Sequence, residues 1–153
     1  HLPEEFPEDE WDFVQAVNLN HVWFFIQYAL QVMLKQESGG KIITIGSMVS
    51  WFGGTTVPAY TASKGAVTQL TKSVAVDCAG RNININCLCP GYMDTEMNES
   101  LTAARKAEIT ARIPAHRWGT PDDMKGPLLF LASDASNYLN GAVIPVDGAY
   151  LVK

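Results

Sequence analysis

The chain has 153 residues, 47% of them hydrophobic and 18% charged, with a formal net charge of -5. That length is one domain's worth of sequence, enough to bury a core, and the acidic balance argues against nucleic acid as a partner. Cys78, Cys87 and Cys89 are odd in number, so they read as small core residues in a reducing, cytoplasmic compartment rather than as a disulfide frame.

Residues 1–8 are rich in proline and acid and read as loose. From about Asp9 to Gln36 the pattern is helical, with Trp11, Val14 and Val17 leading into an apolar run from Val22 to Leu34. The run is too short for a membrane span, which needs roughly 20 apolar residues, and it has no basic flank that would make it a signal peptide. It fits a helix buried against both a sheet and a partner subunit. Ser38-Gly39-Gly40 stops it. Lys41 to Gly46 is a short strand whose continuous apolar character suits a parallel strand covered on both faces. Met48 to Pro58 is a loop carrying Trp51, Phe52, Gly53 and Gly54, and about Ala59 to Cys78 is a second helix ended by Gly80. Ile83 to Leu88 is the next strand. Cys87 and Cys89 alternate there and point to one face, with no second ligand cluster to make them a metal site. Pro90 to Asn98 is a turn entering a mobile, polar stretch. Leu101 to Ile113 and Pro121 to Ala132 are helices, the latter with Thr120 as N-cap and Pro121 in its first turn. Gly141 to Val146 is a last strand. Alternation of helix and strand gives the fold class: α/β, half of a doubly wound parallel sheet.

The chemistry concentrates in Tyr60-Thr-Ala-Ser-Lys64, preceded by Ser47 at the mouth of the first strand. Tyr and Lys four apart on a helix share a face, and an ammonium there favours the phenolate. A Ser at the strand end can hydrogen-bond the same substrate oxygen. The set describes an alcohol/carbonyl proton-transfer site.

The ordered series of strand ending in Gly46-Ser47, Gly-rich loop, Tyr60/Lys64 helix, second strand and Pro90-Gly91 resembles the short-chain dehydrogenase/reductase family. The resemblance runs over essentially the whole chain, from Trp11 and Asn18 to Phe130-Leu-Ala-Ser-Asp134 and Val146-Asp-Gly148. It implies a Rossmann-like parallel sheet and an NAD cofactor, with NADP possible. It makes Tyr60 the general acid/base, Lys64 its charged neighbour and a ligand of the nicotinamide ribose, and Ser47 the group that polarises the carbonyl. Asn18 would hold a water that links Lys64 to solvent, with Asn20 the competing candidate. Pro90 and Gly91 would let the backbone approach the nicotinamide, and the Met93 amide and Thr95 hydroxyl would hold its carboxamide.

No Gly-x-x-x-Gly-x-Gly turn or following acidic residue is present to grip the pyrophosphate and adenosine ribose. Residues 1–153 therefore read as the C-terminal catalytic part of a single domain of this family, without its N-terminal βαβ units. The stretches around Ser47–Gly54 and Ala111–Gly119 look closest to the 2-deoxy-D-gluconate 3-dehydrogenase subgroup, which implies oxidation of a sugar acid. The alternatives are a keto- or acyl-substrate reductase of the same family, and a silent fragment acting as an interaction module. A sugar acid needs a cation, and Arg112, His116 and Arg117 are available. The resemblance also implies a homo-oligomer, paired through the helices around residues 10–36 and 59–78. Ala149 stands where the family more usually has a second glycine.

Overall fold

The computed structural model describes residues 1–153, with every side chain except that of Met97. Three parallel strands lie in the order β1 (Gly40–Ile45), β2 (Ile83–Pro90) and β3 (Val143–Val146). β1 pairs with β2 in the register Ile42↔Ile85 and Thr44↔Cys87, and β2 pairs with β3 from Cys87↔Val143 to Pro90↔Val146. Five α-helices connect and cover them: α1 (Glu8–Gln15), α2 (His21–Met33), α3 (Pro58–Cys78), α4 (Ala103–Arg112) and α5 (Pro121–Ala132).

The period of two along β2 sorts its side chains. Ile83, Ile85, Cys87 and Cys89 point to one face and all are buried. There Ile83 and Ile85 pack with Ile26 of α2 and with Val74, Ala75 and Cys78 of α3. α5 contacts β1 and β2 as well, which leaves it the opposite face. Both faces of the central strand are thus covered, as its unbroken apolar run requires. Thr44 and Thr71, a buried polar pair on the α3 face, satisfy each other at 2.6 Å.

Several expectations need correction. The first residues are not loose: Pro3–Glu5 form a 3-10 turn, and α1 begins at Glu8. The single helix expected from Asp9 to Gln36 is two helices joined by a π-helical segment, Ala16–Asn20, in which the His21 N–H donates to the Ala16 carbonyl five residues back. α2 ends at Met33 because the last turn tightens, with the Lys35 and Gln36 amides reaching back only three residues, to Val32 and Met33. The loop after Ser47 opens on a 3-10 turn, Met48–Ser50. The strand expected to stop at Leu88 continues to Pro90, because β3 still pairs with it there. The stretch after Pro90 is organised by a parallel bridge, Met93↔Gly119, and a 3-10 turn, Glu96–Asn98.

Candidate active site

Three elements meet at the carboxyl end of β1. Gly46 continues the ladder through its amide to the Leu88 carbonyl at 2.9 Å. A Cβ on Gly46 would lie 2.4 Å from the Cys89 Sγ and 2.9 Å from the Cys87 Sγ, so only glycine lets β1 pass over the two thiols. Ser47 follows in extended conformation, and its Oγ accepts the Val49 amide at 3.4 Å. Ser47 thus caps the next turn and stays half-buried at the strand mouth.

Tyr60 lies in the first turn of α3, two residues after Pro58, and Lys64 one turn further on. The Lys64 ammonium sits 5.7 Å from the centre of the Tyr60 ring and donates to the Ile45 carbonyl at 2.9 Å. The end of β1 therefore holds Lys64 against Tyr60. Burial pulls the Lys64 pKa below its ordinary value, and the thiols of Cys87 and Cys89 oppose that shift. The two sulfurs are 3.6 Å apart in the core behind the lysine. Hydrogen bonding from Cys89 is the main cause that lowers the Cys87 thiol to about 7, with smaller help from Thr44, Gly46 and Lys64. The same contact pushes Cys89 up. Among the described residues no group of three metal-ligating side chains gathers here.

Asn18 lies in the π-helical segment, and its Nδ2 donates to the Ser63 Oγ at 3.3 Å. Ser63 is fully buried and donates in turn to the Tyr60 carbonyl at 2.8 Å. Gln15, just before the π turn, donates to the Ala59 carbonyl at 2.9 Å. The extra residue of a π turn re-aims the side chains that follow it, and here it docks the helix onto the turn that carries Tyr60. Asn18 and Lys64 line one groove with Ile45, whereas Asn20 is exposed. Gln15, Ser63 and the Ile45 carbonyl went unnoticed in the sequence, since only the tertiary packing brings them to Tyr60 and Lys64.

Gly91 has a structural reason of its own. Its amide bonds the Val146 carbonyl at 2.9 Å, and a Cβ would lie 2.6 Å from the Asp147 Cα. Gly119 donates to the Tyr92 carbonyl and accepts from the Asp94 amide, so the intervening Met93 turns its own amide away from Gly119. The Met93 carbonyl accepts the Asn98 side chain, and the Met93 amide has no acceptor among the described residues. Thr95 is exposed, its hydroxyl unused as a cap.

The three candidate cations separate clearly. Arg117 forms a two-pronged ion pair with Asp123, both distances 2.8 Å. His116 is exposed on a backbone with φ of 55°. Arg112 reaches over the Tyr150 ring, its Cζ 5.9 Å from the ring centre. Tyr150 belongs to a buried cluster with Met48, Ile109 and Ile113, against which Tyr92 and Trp118 pack.

A Ser, a Tyr and a Lys thus lie at the carboxyl end of a parallel sheet, and the turn that follows β2 carries a free amide at Met93. A family model described as enoyl-(acyl carrier protein) reductase matches residues 3–150. The 2-dehydro-3-deoxy-D-gluconate 5-dehydrogenase of Escherichia coli (strain K12) is 49% identical over 151 residues, 97% of this chain and 60% of its own length. Its counterpart in Bacillus subtilis (strain 168) is 47% identical over 152 residues, covering 98% and 59%. The crystal structure of a gluconate 5-dehydrogenase from Burkholderia cenocepacia J2315 in complex with NADP and tartrate matches with a TM-score of 0.96 at 38% identity, over 100% of this chain and 60% of that one. This chain belongs to the short-chain dehydrogenase/reductase family, and it spans about 60% of the length of these relatives.

Proposed function

We propose that this chain carries the catalytic residues of an NAD(P)-dependent oxidoreductase that interconverts a secondary alcohol and a ketone on a sugar acid, such as 2-deoxy-D-gluconate or its keto relatives. The observation that carries the reading is Lys64 fixed by the Ile45 carbonyl within 5.7 Å of the Tyr60 ring, at the strand mouth that presents Ser47. Relatives in which sugar acids are named, 2-dehydro-3-deoxy-D-gluconate and 5-keto-D-gluconate, support the substrate class.

The residues fit the nicotinamide end of the cofactor. The Met93 amide faces away from its bridge partner without an acceptor among the described residues, and the Thr95 hydroxyl is exposed beside it. These are the donor and the hydroxyl that a carboxamide needs. When bound, the nicotinamide supplies or accepts the hydride. Tyr60 gives the substrate oxygen its proton in reduction and removes it in oxidation. Lys64 stabilises the phenolate that remains, from its seat on the Ile45 carbonyl. Ser47 donates to the same oxygen and orients it. Asn18 holds Ser63, and through it the Tyr60 turn, in place. It also stands where a water could connect Lys64 to solvent.

A second reading is reduction of a keto-acyl thioester. It is favoured by the description of the matching family model and by 39% identity to the 3-oxoacyl-[acyl-carrier-protein] reductase of Thermotoga maritima. Steady-state assays of the active protein with gluconate, 2-dehydro-3-deoxy-D-gluconate and an acetoacetyl thioester, each with NAD(H) and NADP(H), separate the two. A higher kcat/KM for the thioester than for either sugar acid refutes the first reading.

We also place the protein in the cytoplasm as a homo-oligomer. Three free cysteines, all buried, support a reducing compartment. Exposed Phe24 and Tyr28 on α2 and Val76 on α3 support pairing of these helices across a two-fold axis. No helix is long and apolar enough to cross a membrane among the described residues.

A further inference from the structure

We propose that Arg112 is the specificity-determining residue that takes the carboxylate of the substrate. This rests on the sugar-acid reading above and adds to it the group that recognises the acid. The argument starts from Met48, the residue next to Ser47. Met48 is buried against Tyr150, Ile109 and Ile113, so the wall beside the reacting oxygen is built by α4 and the C-terminal turn. Phe52 and Tyr92 approach the Tyr150 ring at 6.0 and 5.5 Å, and Tyr92 lies between Gly91 and Met93 in the turn proposed for the cofactor. The aromatic wall therefore spans from the Ser47 side to the cofactor side. Over it stands Arg112, exposed, with its guanidinium 5.9 Å from the Tyr150 ring centre.

The other arginines nearby are occupied. Arg105 pairs with Glu108, and Arg117 with Asp123. Arg112 has no carboxylate partner among the described residues. Lys153 also lies over Tyr150, at 4.4 Å, but its ammonium is engaged by the Arg112 carbonyl at the end of α4, where a cation suits the helix dipole. Two cations thus approach the Tyr150 ring, and neither has a carboxylate partner among the described residues. Arg112 and Arg105 lie close enough to the half-buried Tyr92 hydroxyl to draw its pKa down against the larger upward push of burial and of Tyr150. An extended hydroxy acid that places its reacting carbon at Ser47 and Tyr60 carries its carboxylate several carbons away, and Arg112 is the free bidentate donor on that wall.

The test compares the sugar acid that the wild type turns over with its uncharged carboxamide. Arg112→Gln should raise KM for the acid at least about ten-fold, the loss of one charge-assisted contact. The change in kcat should be far smaller, and Arg112→Lys should recover part of the loss. KM for the amide should change much less than KM for the acid. Lys72→Gln makes the same charge change on the exposed face of α3, and KM for the acid should then stay within about two-fold, as for a remote, screened charge. Arg112 is exposed, so the substitution does not threaten folding. Equal KM changes for acid and amide, or none for the acid, overturn the assignment while leaving the sugar-acid reading standing. A wild type that turns over no sugar acid, or takes the amide as readily, overturns that reading and this proposal with it.

Discussion

At the scale of single residues, the proposed reaction gives the proton to Tyr60 and the charge to Lys64. Tyr60→Phe keeps the ring that packs beneath Lys64 but removes the transferable proton. Turnover in the active protein is expected to fall by about two to four orders of magnitude, the usual worth of a general acid or base. Retention of most of the rate in stopped-flow or steady-state assays would refute the role. Lys64→Met should be as damaging to turnover and yet raise the melting temperature. The folded pKa of Lys64 lies below its ordinary value because of burial. Between the two values the unfolded chain binds more protons, so stability rises with pH through that window, and at neutral pH the buried ammonium is a net cost. Calorimetry of wild type and variant at pH 7 checks the sign. Ala149 offers a stability test in the C-terminal turn. It adopts φ 72° and ψ 18°, a left-handed conformation that costs a Cβ-bearing residue about 1–2 kcal/mol. Ala149→Gly should stabilise by roughly 0.5–1 kcal/mol once the extra freedom of glycine in the unfolded chain is subtracted, read as a shift in the urea midpoint. The sequence made this position conspicuous only by its departure from the family pattern. Ser47, Tyr60 and Lys64 were legible because their spacing is local. The anchor of Lys64 on the Ile45 carbonyl and the choice among three cations were not, since both depend on chain segments far apart in sequence.

At the scale of elements, α5 shows how a cap becomes a pH-dependent clasp. The Asp123 carboxylate accepts from the Thr120 amide at 2.7 Å and from the Thr120 hydroxyl at 3.0 Å while holding Arg117. Arg117 first, and then the Thr120 donors, keep Asp123 well below the usual carboxylate range. A carboxylate so depressed contributes stability that is present above its unfolded value, about 3.9, and lost as pH falls through its folded one. Asp123→Asn should therefore destabilise the protein at neutral pH and flatten the acid limb of its stability curve. Urea midpoints at about pH 6 and about pH 3 should differ less in the variant than in the wild type, and parallel losses would refute the clasp. Thr120 and Pro121 announced the start of this helix because capping chemistry is local. The break between α1 and α2 went unseen for the opposite reason. A π turn leaves the apolar run from Val22 intact and changes only the phase, and what fixes it is docking through Gln15 and Asn18 onto α3.

At the scale of the molecule, the apolar balance of α2 bears on the proposed pairing of chains. Ile26 is buried in the sheet-facing core, but Phe24 is 46% exposed and Tyr28 is 59% exposed on the other side of the same helix. Uncovered aromatic surface of this kind supports the proposed interface. Tyr28→Asp is expected to convert an oligomer into smaller species in sedimentation velocity, without disturbing Ile26 or the sheet. An unchanged sedimentation coefficient would remove α2 from the interface. The parallel sheet and the order of its elements were readable from periodicity, because burial on both faces leaves an unbroken apolar strand. The register between strands was not. It brings the odd-numbered positions of β2 under α3, and with them the two sulfurs behind Lys64. Cys78, Cys87 and Cys89 have almost no accessible surface, 1%, 0% and 0%. A thiol reagent can reach the β2 pair only when α3 lifts from the sheet. The labelling rate of the pair therefore measures how often that layer opens. The protein thus carries its own chemical stopwatch for breathing of α3, and anything that seats firmly on Lys64 should slow it.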